Sequence, residues 1–201
     1  MPSSRFKQWT DKDIVDLIEA YPLALVVTAT DGQFRMTPLP MLADTDADGR
    51  LVRLVGHMAL SNEHTAVLRS HPRAQFLFLG PHGYVSPRLL DDRSWGPTWN
   101  YAVVRVEADV EFRPDQLDEA LQRLVRRLET GHSDAWSVDE LGDRYEPMSR
   151  RIVAFDAEVR AVDATFKLGQ DEQPDVFRQI VAGLESPDLR AWMQRFSGRQ
   201  D

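Results

Sequence analysis

From Tyr101 to Phe112 the chain carries its most constraining pattern: Ala102, Val104, Val106, Ala108, Val110 and Phe112 occupy one parity, with Arg105, Glu107, Asp109 and Glu111 on the other. Successive strand residues point to opposite faces, so this segment reads as a long strand with one buried and one wet face. A second stretch repeats the pattern, with Val153, Phe155, Ala157, Val159 and Ala161 set against Asp156, Glu158 and Arg160, and runs on into Thr165-Phe166-Lys167. Strands this long, wet on one side, belong to antiparallel sheets rather than to parallel sheets buried on both faces.

The rest of the chain fits that reading. Thr10 and Asp13 cap an amphipathic helix through Ile14, Leu17 and Ile18 that stops near Tyr21-Pro22. The apolar run Leu23–Ala29, the dipeptide Asp31-Gly32 and a further run make a hairpin. Pro38 and Pro40 inside the segment from Phe34 to Leu42 place that strand at an edge or on a bulge, because proline donates nothing to a ladder. A polar turn over Asp44–Gly49 leads to a strand from Arg50 to Gly56. Ser61 or Asn62 then caps a short helix ending at His71-Pro72. Ala74 to Leu79 reads as a strand, Gly80-Pro81-His82-Gly83 as a turn, and Leu89 to Thr98 as a loop. Leu117, Leu121, Leu124 and Leu128 recur at helical spacing, with Arg123, Arg126 and Arg127 on the solvated side. The polar stretch from Gly131 to Tyr145 has no clear period. Pro174 and Pro187 each open a closing helix, the two falling within about 172–197, and the second presents Leu189, Trp192, Met193 and Phe196 on one side.

Strands joined by hairpins with helices interposed irregularly lack the alternation that a parallel α/β sheet requires. The expected fold is therefore mainly β within the α+β class, an antiparallel barrel with peripheral helices. At 201 residues the chain is expected to form a single domain over 1–201. No apolar run is long enough to cross a bilayer and Met1–Phe6 has no hydrophobic signal stretch, so a cytoplasmic location and no membrane partner are expected. The absence of cysteine excludes disulfides, thiolate nucleophiles and sulfur-ligated metals. A net charge of −8 argues against the whole surface gripping a phosphate backbone, leaving DNA binding to a local basic face if it occurs.

The common dinucleotide, phosphate-loop, zinc-protease and nucleophile-elbow signatures are absent. His57, His64 and His71 recur every seven residues, and the last two share a helix face, but no carboxylate cluster completes a metal site, so no metal is assigned. The second constellation is Pro97-Thr98-Trp99-Asn100-Tyr101, a hydroxyl, an amide and two aromatics ahead of the strongest strand. On chemistry alone it suits either an ordinary barrel end, with Thr and Asn bonding their own backbone, or a ligand wall.

Taken in order, Thr37-Pro38-Leu39-Pro40, Gly56-His57-Met58-Ala59 with Asn62, Gly80-Pro81-His82 with Tyr84-Val85-Ser86-Pro87, Pro97–Tyr101 and Lys167-Leu168-Gly169-Gln170 resemble the PaiB-type FMN-binding split-barrel family, from about Phe6 to the last helices. The resemblance implies a flavin-reductase-like split barrel, a homodimer with flavin mononucleotide (FMN) near the subunit interface, and the family's label of negative transcriptional regulator. It implies phosphate contacts in the stretch from Gly56 and His57 to Ser61 and Asn62, where the family carries basic ligands. Glu63 has the wrong charge for that work, which leaves it to backbone amides, to Arg35 or to a second subunit. Thr37 and the kinked strand to Pro40 would border the ring, and Thr98, Trp99, Asn100 and Tyr101 would supply stacking and hydrogen bonds. Lys167 and Gln170 are further candidates. No residue is nominated as acid or base. Three activities are compatible with these residues: a flavin-dependent redox protein, a regulator acting through DNA or a partner, and a barrel without cofactor serving as an interaction module.

Overall fold

A computed structural model describes residues 4–198. The first three positions of the expected signal-free N-terminus, and the last three of the chain, lie outside the described residues. Seven strands, β1 (Leu23–Thr30), β2 (Gln33–Pro40), β3 (Leu42–Thr45), β4 (Leu51–Ala59), β5 (Arg73–Val85), β6 (Thr98–Phe112) and β7 (Ile152–Lys167), form one sheet. Their order is β2-β1-β5-β6-β7-β4-β3 and every pairing is antiparallel. The strands β2 and β3 are the two ends of that order, yet only Met41 separates them in the chain. The sheet must therefore curl until its ends meet. Met41 pins the seam: its amide donates to Pro22 O at 2.9 Å, and its side chain is buried in the barrel.

The expected hairpin closes on Asp31 and Gly32, both at positive φ (50° and 75°), as a two-residue turn matched to strand twist requires. The proline-bearing strand lies at a sheet edge, as its missing donors demand. The inward faces of β1, β5, β6 and β7 supply the core through Val26, Phe76, Phe78, Val104, Val106, Phe155 and Phe166. Six helices surround the barrel: α1 (Asp11–Ala20), α2 (Glu63–Ser70), α3 (Leu117–Glu129), α4 (Tyr145–Ser149), α5 (Pro174–Gly183) and α6 (Pro187–Phe196). The capping box of α1 is formed by Thr10 and Asp13, and the fully buried Asp13 carboxylate also takes Arg195 of α6 at 2.6 Å. The first and last helices are thereby tied together. Inside that seam Phe166 stacks on Trp192 and Phe196 at centroid distances of 5.9 and 4.7 Å.

Four segments differ from the sequence reading. Gly80–Gly83 is not a turn, because β5 runs through it with a register slip between Leu79 and His82. Pro81 breaks the ladder, and a Cβ on Gly80 would sit 2.9 Å from Leu17 Cδ1 and 3.3 Å from Ala102 O, so glycine lets the bulged strand stay close to its neighbours. Thr98 belongs to β6 and not to the preceding loop, so the strand starts three residues before the expected Tyr101. Leu42–Thr45 forms the short strand β3, shrinking the polar turn to residues 46–49, while β4 continues to Ala59. The stretch without a period contains a 3-10 turn over Val138–Arg144 followed by α4, and Ser137 N donating to the Glu140 carboxylate at 2.8 Å is the start signal that marks it.

Gly56 is part of the barrel packing. A Cβ there would lie 2.8 Å from Met41 Sδ and 3.0 Å from Phe155 Cζ. Gly56→Val is expected to overpack the seam and cost about 1–3 kcal/mol, read as a lower urea midpoint with an unchanged m-value.

Candidate functional site

The strand β2 and the start of α2 bring together a polar group inside an otherwise apolar wall. Thr28 of β1 is buried, and its Oγ1 lies 3.0 Å from His64 Nε2. Thr37 of β2 lies 3.0 Å from His64 Nδ1 on the other side of the ring. Asn62 caps α2 by accepting from His64 N at 3.0 Å, and its amide donates to Thr37 Oγ1 at 3.2 Å. Arg35 stands two residues from Thr37 on the same strand, and its charge reaches His64. Burial first, and the Arg35 charge second, push the His64 pKa below its ordinary value.

This arrangement changes the expected division of labour. Thr37 joins Asn62 at the helix start. The first amides of α2 are largely used by the cap: Asn62 N donates to Ala59 O, His64 N to the Asn62 side chain and Thr65 N to Asn62 O. Side chains therefore carry any anion binding here. A guanidinium, a threonine hydroxyl and a carboxamide suit a phosphate, since all three donate. Glu63 is exposed at the first turn of α2, where its charge complements the helix dipole. Ser61 is exposed in the turn that precedes α2.

The remaining candidates lie elsewhere. His57 sits half-buried on β4 opposite Ala154, and burial lowers its pKa. Pro40 ends β2 opposite Leu23. At the far end of β6, Trp99 is 50% exposed and meets His82 and Tyr84 at centroid distances of 6.1 and 6.0 Å. Lys167 donates to Thr98 Oγ1 and to Trp99 O, and Tyr101 pairs with both His82 and Lys167. Asn100 and Gln170 are buried inward. The first donates to Met193 Sδ at 3.6 Å; the second donates to Phe166 O at 2.6 Å and accepts from Leu168 N at 2.8 Å. Both hold the C-terminal segment against the barrel.

The pairings Thr37–Val26, Val26–Phe76 and Phe76–Val106 put Thr37 in the row of Val106, seven residues along β6 from Trp99. At roughly 3.3 Å per residue that is about 23 Å along the strand. Within one protomer, the Thr37 and Trp99 groups do not face one small molecule. The three histidines also part company: His64 is taken by two threonines and His71 is bonded to Ser70 at the end of α2.

A larger cleft, about 1040 Å³, opens along β1, β5, β6 and β7; it contains none of the expected contacts, although Thr28 lies on its wall. Its arginines are already matched. Arg53 meets Asp44 and Asp156, Arg113 meets Glu111 and Asp156, and Arg73 and Arg160 hold the Asp109 carboxyl down at about 2. His64 and Thr28 were missed as site members by sequence reasoning. The signal available was the seven-residue histidine spacing, but the partner of His64 is 36 residues away in the chain.

Residues 1–161 match the family described as "Putative FMN-binding domain". The chain belongs to that family. The match includes Arg35, Thr37, Asn62 and Trp99 and ends before Lys167 and Gln170. No curated protein sequence matches the chain. Among solved structures it is similar to the FAD and heme binding protein from Mycobacterium smegmatis, with 19% identity over 87% of this chain and 78% of that one and a TM-score of 0.61. It is also similar to the flavocytochrome Anf3 from Azotobacter vinelandii, with 14% identity over 83% and 71% and a TM-score of 0.63. At these identities the likeness shows the fold, a flavin-reductase-like split barrel, and the family supports FMN as the cofactor it binds. Among the described residues no helix is long and apolar enough to cross a membrane.

His64 and His57 are held neutral by the fold, so the unfolded chain binds more protons just below their ordinary pKa. Their contribution is complete above about pH 6.5 and is lost as pH falls toward the lowered folded values. Thermal unfolding followed against pH is expected to show a fall in Tm below that point, shallower in His64→Gln.

Proposed function

We propose that the chain is a PaiB-like flavoprotein that holds the FMN phosphate between β2 and α2, by Arg35, Thr37 and Asn62 with His64 behind them. The observation that carries this reading is the convergence of those donors on one half-buried spot, in a chain of the FMN-binding family. Arg35 makes no ion pair among the described residues, which leaves its charge for a ligand. Bound FMN supplies reversible electron transfer. The residues of this chain bind it, orient it and limit its contact with water.

A homodimer completes the pocket in this proposal. The outer face of the sheet exposes Phe34 (70%), Met36 (62%), Leu23 and Leu79, and a water-facing apolar surface of this kind marks an interface. A second protomer brings its own Trp99, Tyr101 and Lys167 toward the ring, which one protomer cannot do at the separation given above. His57, Pro40 and Ser61 stay peripheral. The full chain acts as one domain, with α5 and α6 closing the Asn100 end.

Redox chemistry is favoured over regulation through DNA. The arginines of the large cleft are all paired with carboxylates and form no free basic face. The test is binding of FMN and of riboflavin, which lacks the phosphate, to full-length protein. The wild type is expected to purify yellow, as a dimer, and to prefer FMN. Arg35→Ala is expected to lose about 10- to 100-fold in FMN affinity with little change for riboflavin. Colourless protein that takes up neither flavin contradicts the proposal and leaves the interaction-module reading.

A further inference from the structure

We infer that Thr28, buried behind His64, sets the hydrogen-bond polarity of the β2–α2 site: acting through His64, it makes Thr37 a donor toward whatever binds there. The inference rests on the proposed phosphate position, and its first step stands without it.

Thr28 is 3% exposed, and among the described residues its hydroxyl has one hydrogen-bond partner, His64 Nε2. A buried hydroxyl proton needs an acceptor. If Nε2 carried the imidazole proton, Thr28 would accept it and its own proton would have no protein acceptor among the described residues. If Nε2 is bare, Thr28 donates to it and the demand is met. A neutral imidazole then carries its proton on Nδ1. Burial and the Arg35 charge both favour that neutral ring.

Nδ1–H therefore donates to Thr37 Oγ1. The orientation of Asn62 is fixed by its other end, because Oδ1 accepts from His64 N, which turns Nδ2 toward Thr37. Thr37 Oγ1 thus accepts two hydrogen bonds, from Nδ1 and from Nδ2, and both lone pairs are used. Its proton is free, and Thr37 is only half-buried, so that proton is available to a ligand. With Arg35 beside it, the pocket presents donors and selects an oxyanion such as a phosphate, which only accepts. The opposite tautomer would have Thr37 donate inward and show a lone pair to the ligand, repelling the same oxyanion. Thr28 is accordingly a positioning residue that never touches the cofactor.

Two measurements test this. In wild-type protein without flavin, 15N NMR of the His64 ring is expected to show Nδ1 protonated and Nε2 bare, and a protonated Nε2 overturns the inference. Thr28→Val keeps the shape of the side chain and removes its proton, so FMN affinity is expected to fall about tenfold while riboflavin affinity holds, with Thr28→Ser restoring the wild-type value. Equal losses for the two flavins, or no rescue by serine, overturn the inference by reducing Thr28 to packing. If the wild type binds FMN and riboflavin equally while Nδ1 carries the proton, the relay stands and the phosphate reading is the part that fails.

Discussion

The closure of the sheet is the constraint on which the rest of the structure depends. Two strands adjacent in the chain, β2 and β3, are forced to opposite ends of a seven-strand ladder with a single residue, Met41, between them. That is possible only if the ladder rolls up. Rolling places an edge strand beside the start of a helix that follows β4, and a polar cluster forms where β2 meets α2. Met41 fills the seam, and Gly56 leaves the room it occupies. Packing and site therefore have one cause: the curl that buries Met41 also sets Thr37 against His64.

The site divides buried from reachable groups in a consistent way. Thr28 and His64 are inside, where their hydrogen bonds are fixed, and Arg35, Thr37 and Asn62 are half-exposed in front of them. The large cleft shows the contrary arrangement. It is open, yet its guanidiniums are spent on carboxylates, as at Asp109 between Arg73 and Arg160. Volume alone would favour the cleft. Unspent donors favour the smaller spot.

Local signals in the sequence carried much of the fold. The alternation in β6, the Asp31-Gly32 turn, the Asn62 cap, Pro187 opening α6 and the prolines of β2 each specify their own element through backbone geometry, and each appears as expected; in β7 the alternation breaks at a register shift beside Arg160, which buries Asp156 and exposes Ala161. The misreadings share a cause. Gly80-Pro81 has the composition of a turn, and only the neighbouring Leu17 and Ala102 reveal it as a bulge. Asn100 and Gln170 carry binding chemistry on paper, but the C-terminal segment folds over them and uses their amides internally. His64 is similar: its spacing drew notice, while its meaning depends on Thr28 and Thr37, which only the closed barrel supplies.

The account turns on where the flavin phosphate rests, and hydrogen–deuterium exchange with FMN and with riboflavin locates it directly. FMN is expected to protect backbone amides in residues 33–40 and 59–66, with riboflavin protecting the same stretches less. Protection confined to residues 71–75 and 109–113, along the arginine-lined cleft, would contradict it.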